Sequence, residues 1–298
     1  MDRKQRMLGF VCVMMSAGIY GISPLLVSSI TNHGAHYSNV MFFKASIAAL
    51  VFFLISRFGK IDLRISKADQ IGSITLGGLR FFTSLFLYCS YTWISTGLAT
   101  TLHFTFPLFV MLISLLVFHE NPHFWGVLCI AISLIGMWLI SGNSANHSDM
   151  TGVLCALISA VLYALYLITL NRGTITRLNP LVYSMYELLY AAVFSLIYST
   201  VTGHMRFNLT STGWLIALAS AAMMGVCVIL MKIGIVRIGS LKASLMCILE
   251  PIVSIIMGIL FLHETMALQT GIGTLCVISA AVISVFSDQK GANAPAES

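Results

Sequence analysis

Five ionisable side chains stand inside long apolar runs of this chain: Lys44, Arg80, His103, Glu187 and Glu250. Placing such groups in an apolar medium is costly, so each needs a partner or a task. Lys44 and Arg80 are suited to anionic groups, and a guanidinium grips carboxylate or phosphate through paired hydrogen bonds. The alternatives are structural pairs, Arg80 with Glu187 or Glu250 and Lys44 with Glu187. Glu250 precedes Pro251, and proline removes a helical hydrogen bond and frees carbonyls that can face a cavity. A carboxylate there is either a proton carrier or a cap for freed backbone groups. His103, one turn before Pro107, is either a second titrating group or a satisfied packing residue. Tyr20 and Tyr163 are candidates for stacking against a ligand. Lys232 lies near a helix end, from which its long stem is expected to snorkel.

One further pattern spells an enzyme signature. His119-Glu120-Asn121-Pro122-His123 reads HExxH, in which two His on one helical face bind zinc and Glu acts as base. A membrane-embedded metalloprotease is therefore the alternative class of function. Pro122 opposes it, because proline fits poorly between two ligands on a continuous helix. A second copy at His263-Glu264-Thr265-Met266-Ala267 keeps His-Glu and loses the second His. No Gly-rich phosphate loop or soluble nucleotide-binding segment is present, so ATP-driven pumping within this chain is not expected, and neither a cofactor nor a metal is.

The elements that must position these residues follow from composition. The 298 residues are 58% apolar and 9% charged, with a mean hydropathy of +0.94, against about 25% charge in soluble chains. Lipid must be the solvent. Runs of about 20 apolar residues span a bilayer, and as lipid-facing backbone they must be helices. Ten are expected: 7–30, 37–56, 70–93, 96–118, 124–141, 151–171, 181–202, 212–234, 240–262 and 267–286, with the fourth and ninth the clearest. The first is expected to be a membrane helix rather than a cleaved signal, being too long and lacking a small-residue cleavage site. The seven cysteines all lie in apolar runs and form no CxxC, which reads as small hydrophobes rather than metal ligands.

A net charge of +6 would suggest nucleic acid in a soluble protein, but topology accounts for it. With the N-terminus inside, twelve Lys and Arg fall in cytoplasmic segments and Arg206 alone in an outer loop. That asymmetry places both termini in the cytoplasm. Lys44 then lies roughly 10 Å from the outer end of its helix at about 1.5 Å per residue.

The chain also repeats itself. Ala99, Pro107 and His119-Glu120 recur as Ala243, Pro251 and His263-Glu264; Gly9, Ser16, Ala17 and Tyr20 recur as Gly152, Ser159, Ala160 and Tyr163. Five crossings separate the copies, an odd number, so residues 1–144 and 145–298 are expected to be five-helix repeats of opposite orientation. Such inverted repeats are a recurring architecture of secondary transporters, with the ligand near the midplane between the halves. Lys44 and Glu187 occupy equivalent positions of the two repeats, as do Phe106 and Glu250. These breaks in the symmetry point to the site.

Tyr20-Gly21 in the first segment, the Ala99…Pro107…Glu120 block and Leu249-Glu250-Pro251 with Glu264 resemble the EamA family of the drug/metabolite transporter superfamily across about residues 7–287. Two departures are Tyr20, where the family commonly has Trp, and Lys44, where it often has Arg. The resemblance implies an all-α, ten-helix inner-membrane transporter that moves amino acids or other small metabolites, often outward. The expected ligand is a small organic anion or zwitterion bound by Lys44, Arg80, Tyr20, Tyr163, His103, Glu187 and Glu250. Protons are the candidate coupling ion, and the protein is expected to be a monomer or homodimer in the bilayer with no nucleic-acid partner.

Overall fold

A computed structural model describes residues 3–33, 35–90, 92–94, 99, 102–119, 124–141, 150–172, 178–205, 209–247, 249–250, 253 and scattered positions between 269 and 283. Among the described residues every regular element is an α-helix. The helices are α1 (Arg3–Asn32), α2 (Tyr37–Phe58), α3 (Lys67–Ser90), α4 (Phe106–Phe118), α5 (Phe124–Ser141), α6 (Met150–Arg172), α7 (Pro180–Val201), α8 (Ser211–Ile238) and α9 (Ser240–Cys247). Six are long and apolar enough to cross a membrane, and two shorter apolar helices accompany them.

Local chemistry sets the boundaries. Asn179 accepts a hydrogen bond from the Leu181 N–H, with Pro180 in the first turn of α7; Thr210 caps α8 through the Gly213 N–H. Proline lacks a donor where the helix needs none, so these are strong starts. The α8–α9 break falls at Gly239, with φ of 83°, a left-handed value that disfavours other residues.

The fourth expected crossing is corrected. Residues 96–118 do not form one continuous helix, because Phe104 and Thr105 form a turn and the regular helix begins at Phe106. Pro107 sits in its first turn and has no N–H to offer a preceding turn. Hydropathy alone ran through that break. Most of the ninth and tenth expected crossings, with Pro251 and His263-Glu264, lie outside the described residues.

Packing repeats with the sequence. α1 packs chiefly on α8, α6 on α3, and α2 on α7. Ser16 Oγ donates to the Cys227 carbonyl at 3.1 Å, and Ser159 Oγ donates to the Thr83 carbonyl at 2.8 Å. These are equivalent bonds, since donors and acceptors sit 143 and 144 residues apart. Close approaches match too. A Cβ on Gly9 would meet Ile238 Cγ2 at 2.7 Å and Arg237 Cβ at 2.8 Å, while one on Gly152 would meet Ile94 Cγ2 and Trp93 Cβ, both at 2.8 Å. Each half thus lays its first helix against the third helix of the other. Lipid offers little hydrophobic gain for helix association, so small residues that admit close contact carry this packing. Large apolar side chains such as Leu50, Ile71, Trp138 and Leu215 remain on the outside.

Candidate functional site

Where α1, α2, α3, α6 and α7 converge, they enclose a cavity of about 550 Å³. Six of the seven residues expected at the site line it: Tyr20, Lys44, Arg80, His103, Tyr163 and Glu250. The cavity reaches toward the end of the fold where α2 begins and α3 finishes, at Tyr37, Tyr88 and Thr92.

Glu187 stands apart from the lining. Its side chain has no solvent exposure and accepts a hydrogen bond from Arg80 Nε, forming a buried ion pair. Arg80 also donates through Nη1 to the Tyr20 hydroxyl at 3.2 Å and through Nη2 to the Tyr166 hydroxyl. Tyr166 in turn donates to the Glu187 carboxylate at 2.9 Å, and the guanidinium lies 4.8 Å from its ring centroid. The Arg80 charge is therefore matched by Glu187 and held in a fork geometry by two phenols. Helix contact makes this possible, because a Cβ on Gly77 would meet the Glu187 carbonyl at 2.8 Å and Tyr190 Cβ at 2.7 Å. Glycine one turn before Arg80 lets α3 lie directly on α7. Lys44 and Glu187, equivalent in the repeat, do not pair with one another.

Lys44, 8% exposed, donates from Nζ to Ser23 Oγ at 2.9 Å. Among the described residues neither Lys44 nor Glu250 has a salt-bridge partner. His103 is satisfied by protein, its Nδ1 lying 2.9 Å from Ser159 Oγ. The one Ser159 proton goes to the Thr83 carbonyl, so His103 must be the donor, in its Nδ1–H tautomer. Tyr163 stacks on Tyr166 with centroids 5.8 Å apart and planes 7° apart, and meets Phe106 edge-on at 4.6 Å.

Two expectations near the site change. Lys232 does not snorkel: it is 2% exposed, with Nζ 3.5 Å from the Tyr183 ring centroid. A cation–π contact compensates a cation that the helix geometry keeps from the interface. At the HExxH motif, α4 ends at His119, which takes a left-handed φ of 56°. The continuous helical face that would present both histidines to zinc therefore stops at the first of them; Glu120 to His123 lie outside the described residues. Tyr166 and Ser23 were not among the expected residues. Both had a legible signal, standing three positions after Tyr163 and Tyr20 on the same helical face.

The EamA-like transporter family model matches this chain twice, over residues 7–142 and 150–286. The chain belongs to the EamA-like transporter family. Among curated relatives, the threonine/homoserine exporter RhtA of Salmonella typhimurium is 28% identical over 76% of this chain and 75% of its own length. The exporter of the same name from Escherichia coli K12 is 25% identical over 80% of this chain and 78% of its own. The transporter YoaV of Bacillus subtilis is 21% identical over 94% and 93%. A solved crystal structure superposes with a TM-score of 0.81 at 16% identity, covering 96% of this chain and all of that one, a likeness of fold. The chain is thus a multi-pass membrane protein in two family repeats, and family and relatives point to transport of a small molecule rather than to catalysis.

Proposed function

We propose that this EamA-like protein is a secondary active exporter of small metabolites, amino acids or related organic anions and zwitterions, working by alternating access. In this reading ten transmembrane helices form two inverted five-helix repeats, residues 1–144 and 145–298, in a bacterial inner membrane with both termini cytoplasmic. The observation that carries it is the cavity lined by Lys44 and Glu250, one from each half, where helices of both halves converge. A ligand there touches both repeats and can bias how they rock against each other. The cavity's reach toward Tyr37 and Tyr88, at the outer face by the charge asymmetry, corresponds to an outward-facing conformation. Behind it the buried cluster of Phe106, Tyr166, Tyr183, Met231 and Met246 closes the cytoplasmic side. The RhtA relatives make threonine and homoserine the first probes. Glu250, or the buried Glu187, is the candidate carrier of a coupling proton.

The test is counterflow in proteoliposomes loaded with unlabelled threonine and given labelled threonine outside. Accumulation above equilibrium that needs the folded protein supports the exporter reading. If no amino acid in a broad panel is exchanged by folded protein, the reading falls. A pH gradient that changes uptake by the native chain, but not by one carrying Glu187→Gln and Glu250→Gln, supports proton coupling.

A further inference from the structure

We infer that the cavity reads an α-amino acid as a zwitterion held at two separate poles. Lys44 Nζ takes the carboxylate, the Glu250 carboxylate takes the ammonium, and an apolar side chain lies against the wall between. This assignment rests on the transport reading above and names the substrate class of that same site.

The argument is one of charge. Five side chains able to carry charge belong to the cavity and the layer directly behind it: Lys44, Arg80, Glu187, Glu250 and Lys232, the last lying over the Tyr183 ring. Arg80 and Glu187 neutralise each other, and the remaining Arg80 contacts go to Tyr20 and Tyr166. Arg80 is thereby a positioning residue, its charge already spent. What remains is Lys44, whose Nζ donates to the Ser23 hydroxyl, and Glu250, which has no salt-bridge partner among the described residues. They come from different halves of the chain.

A buried charge is costly unless paired. A ligand carrying only an anion would compensate Lys44 and leave Glu250 alone; a ligand carrying only a cation would do the reverse. A net-neutral dipolar ligand is the class that leaves neither pole unmatched. The rest of the wall is largely apolar, with Met41, Phe81, Leu87, Phe104 and Met224. An aliphatic or aromatic side chain loses water there without leaving a polar group unpaired.

The assignment is tested by removing one pole of the ligand at a time. L-leucine, 3-methylbutylamine (leucine without its carboxylate) and 4-methylpentanoate (leucine without its ammonium) are titrated against the purified full chain by calorimetry. Leucine should bind at least tenfold more tightly than either analogue. Lys44→Met should weaken leucine tenfold or more while leaving the amine unchanged, and Glu250→Gln should weaken leucine while leaving the acid unchanged. A merely structural role at either position would weaken all three ligands together. Equal binding of the three by the native chain overturns the assignment, and so does failure of leucine to bind or a uniform loss in both variants. The native-chain series stands even if a variant does not fold. If the assignment falls while threonine counterflow persists, the transport reading survives; if no amino acid is exchanged, that reading falls with it.

Discussion

Removing one partner of the Arg80–Glu187 pair should be far more damaging than removing both. Glu187 has no exposed side-chain surface and Arg80 is 13% exposed, so each single change leaves a charge largely cut off from bulk water. Breaking a buried pair from one side typically costs about 3–5 kcal/mol, whereas replacing both partners with packed apolar residues is often neutral or better. Arg80→Met should fall at the upper end, because it leaves the buried Glu187 carboxylate without its guanidinium, with the Tyr166 hydroxyl still donating to it. Glu187→Leu should fall nearer the lower end, since Arg80 lines the cavity and keeps two phenol contacts. The double variant gives up those phenol contacts, about 1 kcal/mol each, but leaves no unpaired charge. A coupling energy of about 6 kcal/mol follows. At about 2–4 °C per kcal/mol, each single variant should melt about 10 °C below the native protein, with the double variant between. The assay is thermal unfolding of purified protein in detergent, followed by tryptophan fluorescence. A double variant that melts as low as the summed single losses would refute the reasoning.

Two further outcomes are expected. Gly77→Ala should lower stability by about 1–3 kcal/mol, because its Cβ would press on the α7 backbone at Glu187 and Ala191; unchanged melting would show that α3 and α7 are not so closely packed. Burial, and then the charge of the neighbouring His204, hold His36 below the usual histidine range. His36 and His204 stack with centroids 4.1 Å apart, and the His36 side chain caps α2 by accepting from the Ser38 N–H. The folded state thus favours neutral His36, while unfolded histidine takes up a proton near pH 6.5. Stability should fall as pH drops below about 6.5 and level off once the folded group also titrates. His36→Asn keeps a cap acceptor and cannot titrate, so it should flatten that fall; an unchanged pH profile of the melting temperature would assign the effect elsewhere.

The fold was legible because lipid imposes a simple rule on the chain. Helix after helix begins and ends within a few residues of its apolar run, and where the reading failed, at Phe104 and Thr105, a turn before Pro107 was hidden among apolar residues. The repeat was legible as identities, and its structural meaning emerged in the matched Ser16–Cys227 and Ser159–Thr83 bonds. The site residues were found because ionisable groups are rare in apolar runs. Their pairing was left open, with Arg80 set against either Glu187 or Glu250, because sequence spacing says which face a residue occupies on its own helix and nothing about which helix lies opposite. Repeat equivalence suggested setting Lys44 against Glu187, yet Gly77 brings α3 onto α7 and gives Glu187 to Arg80 instead. Lys232 was misread for the same reason: its depth along α8 was clear, but the Tyr183 ring beside it belongs to α7.

The central claim is that the small molecule is carried through the cavity between the halves. It is tested most directly by filling that space without touching its charges. Ser84 lines the cavity on α3, and Ser84→Trp should occupy the volume a ligand needs. Counterflow of labelled threonine is then measured in proteoliposomes beside the native protein, with melting curves showing that both are folded. The account predicts that the native chain exchanges threonine and the folded Ser84→Trp chain does not. Exchange at the native rate by the Ser84→Trp chain would contradict it.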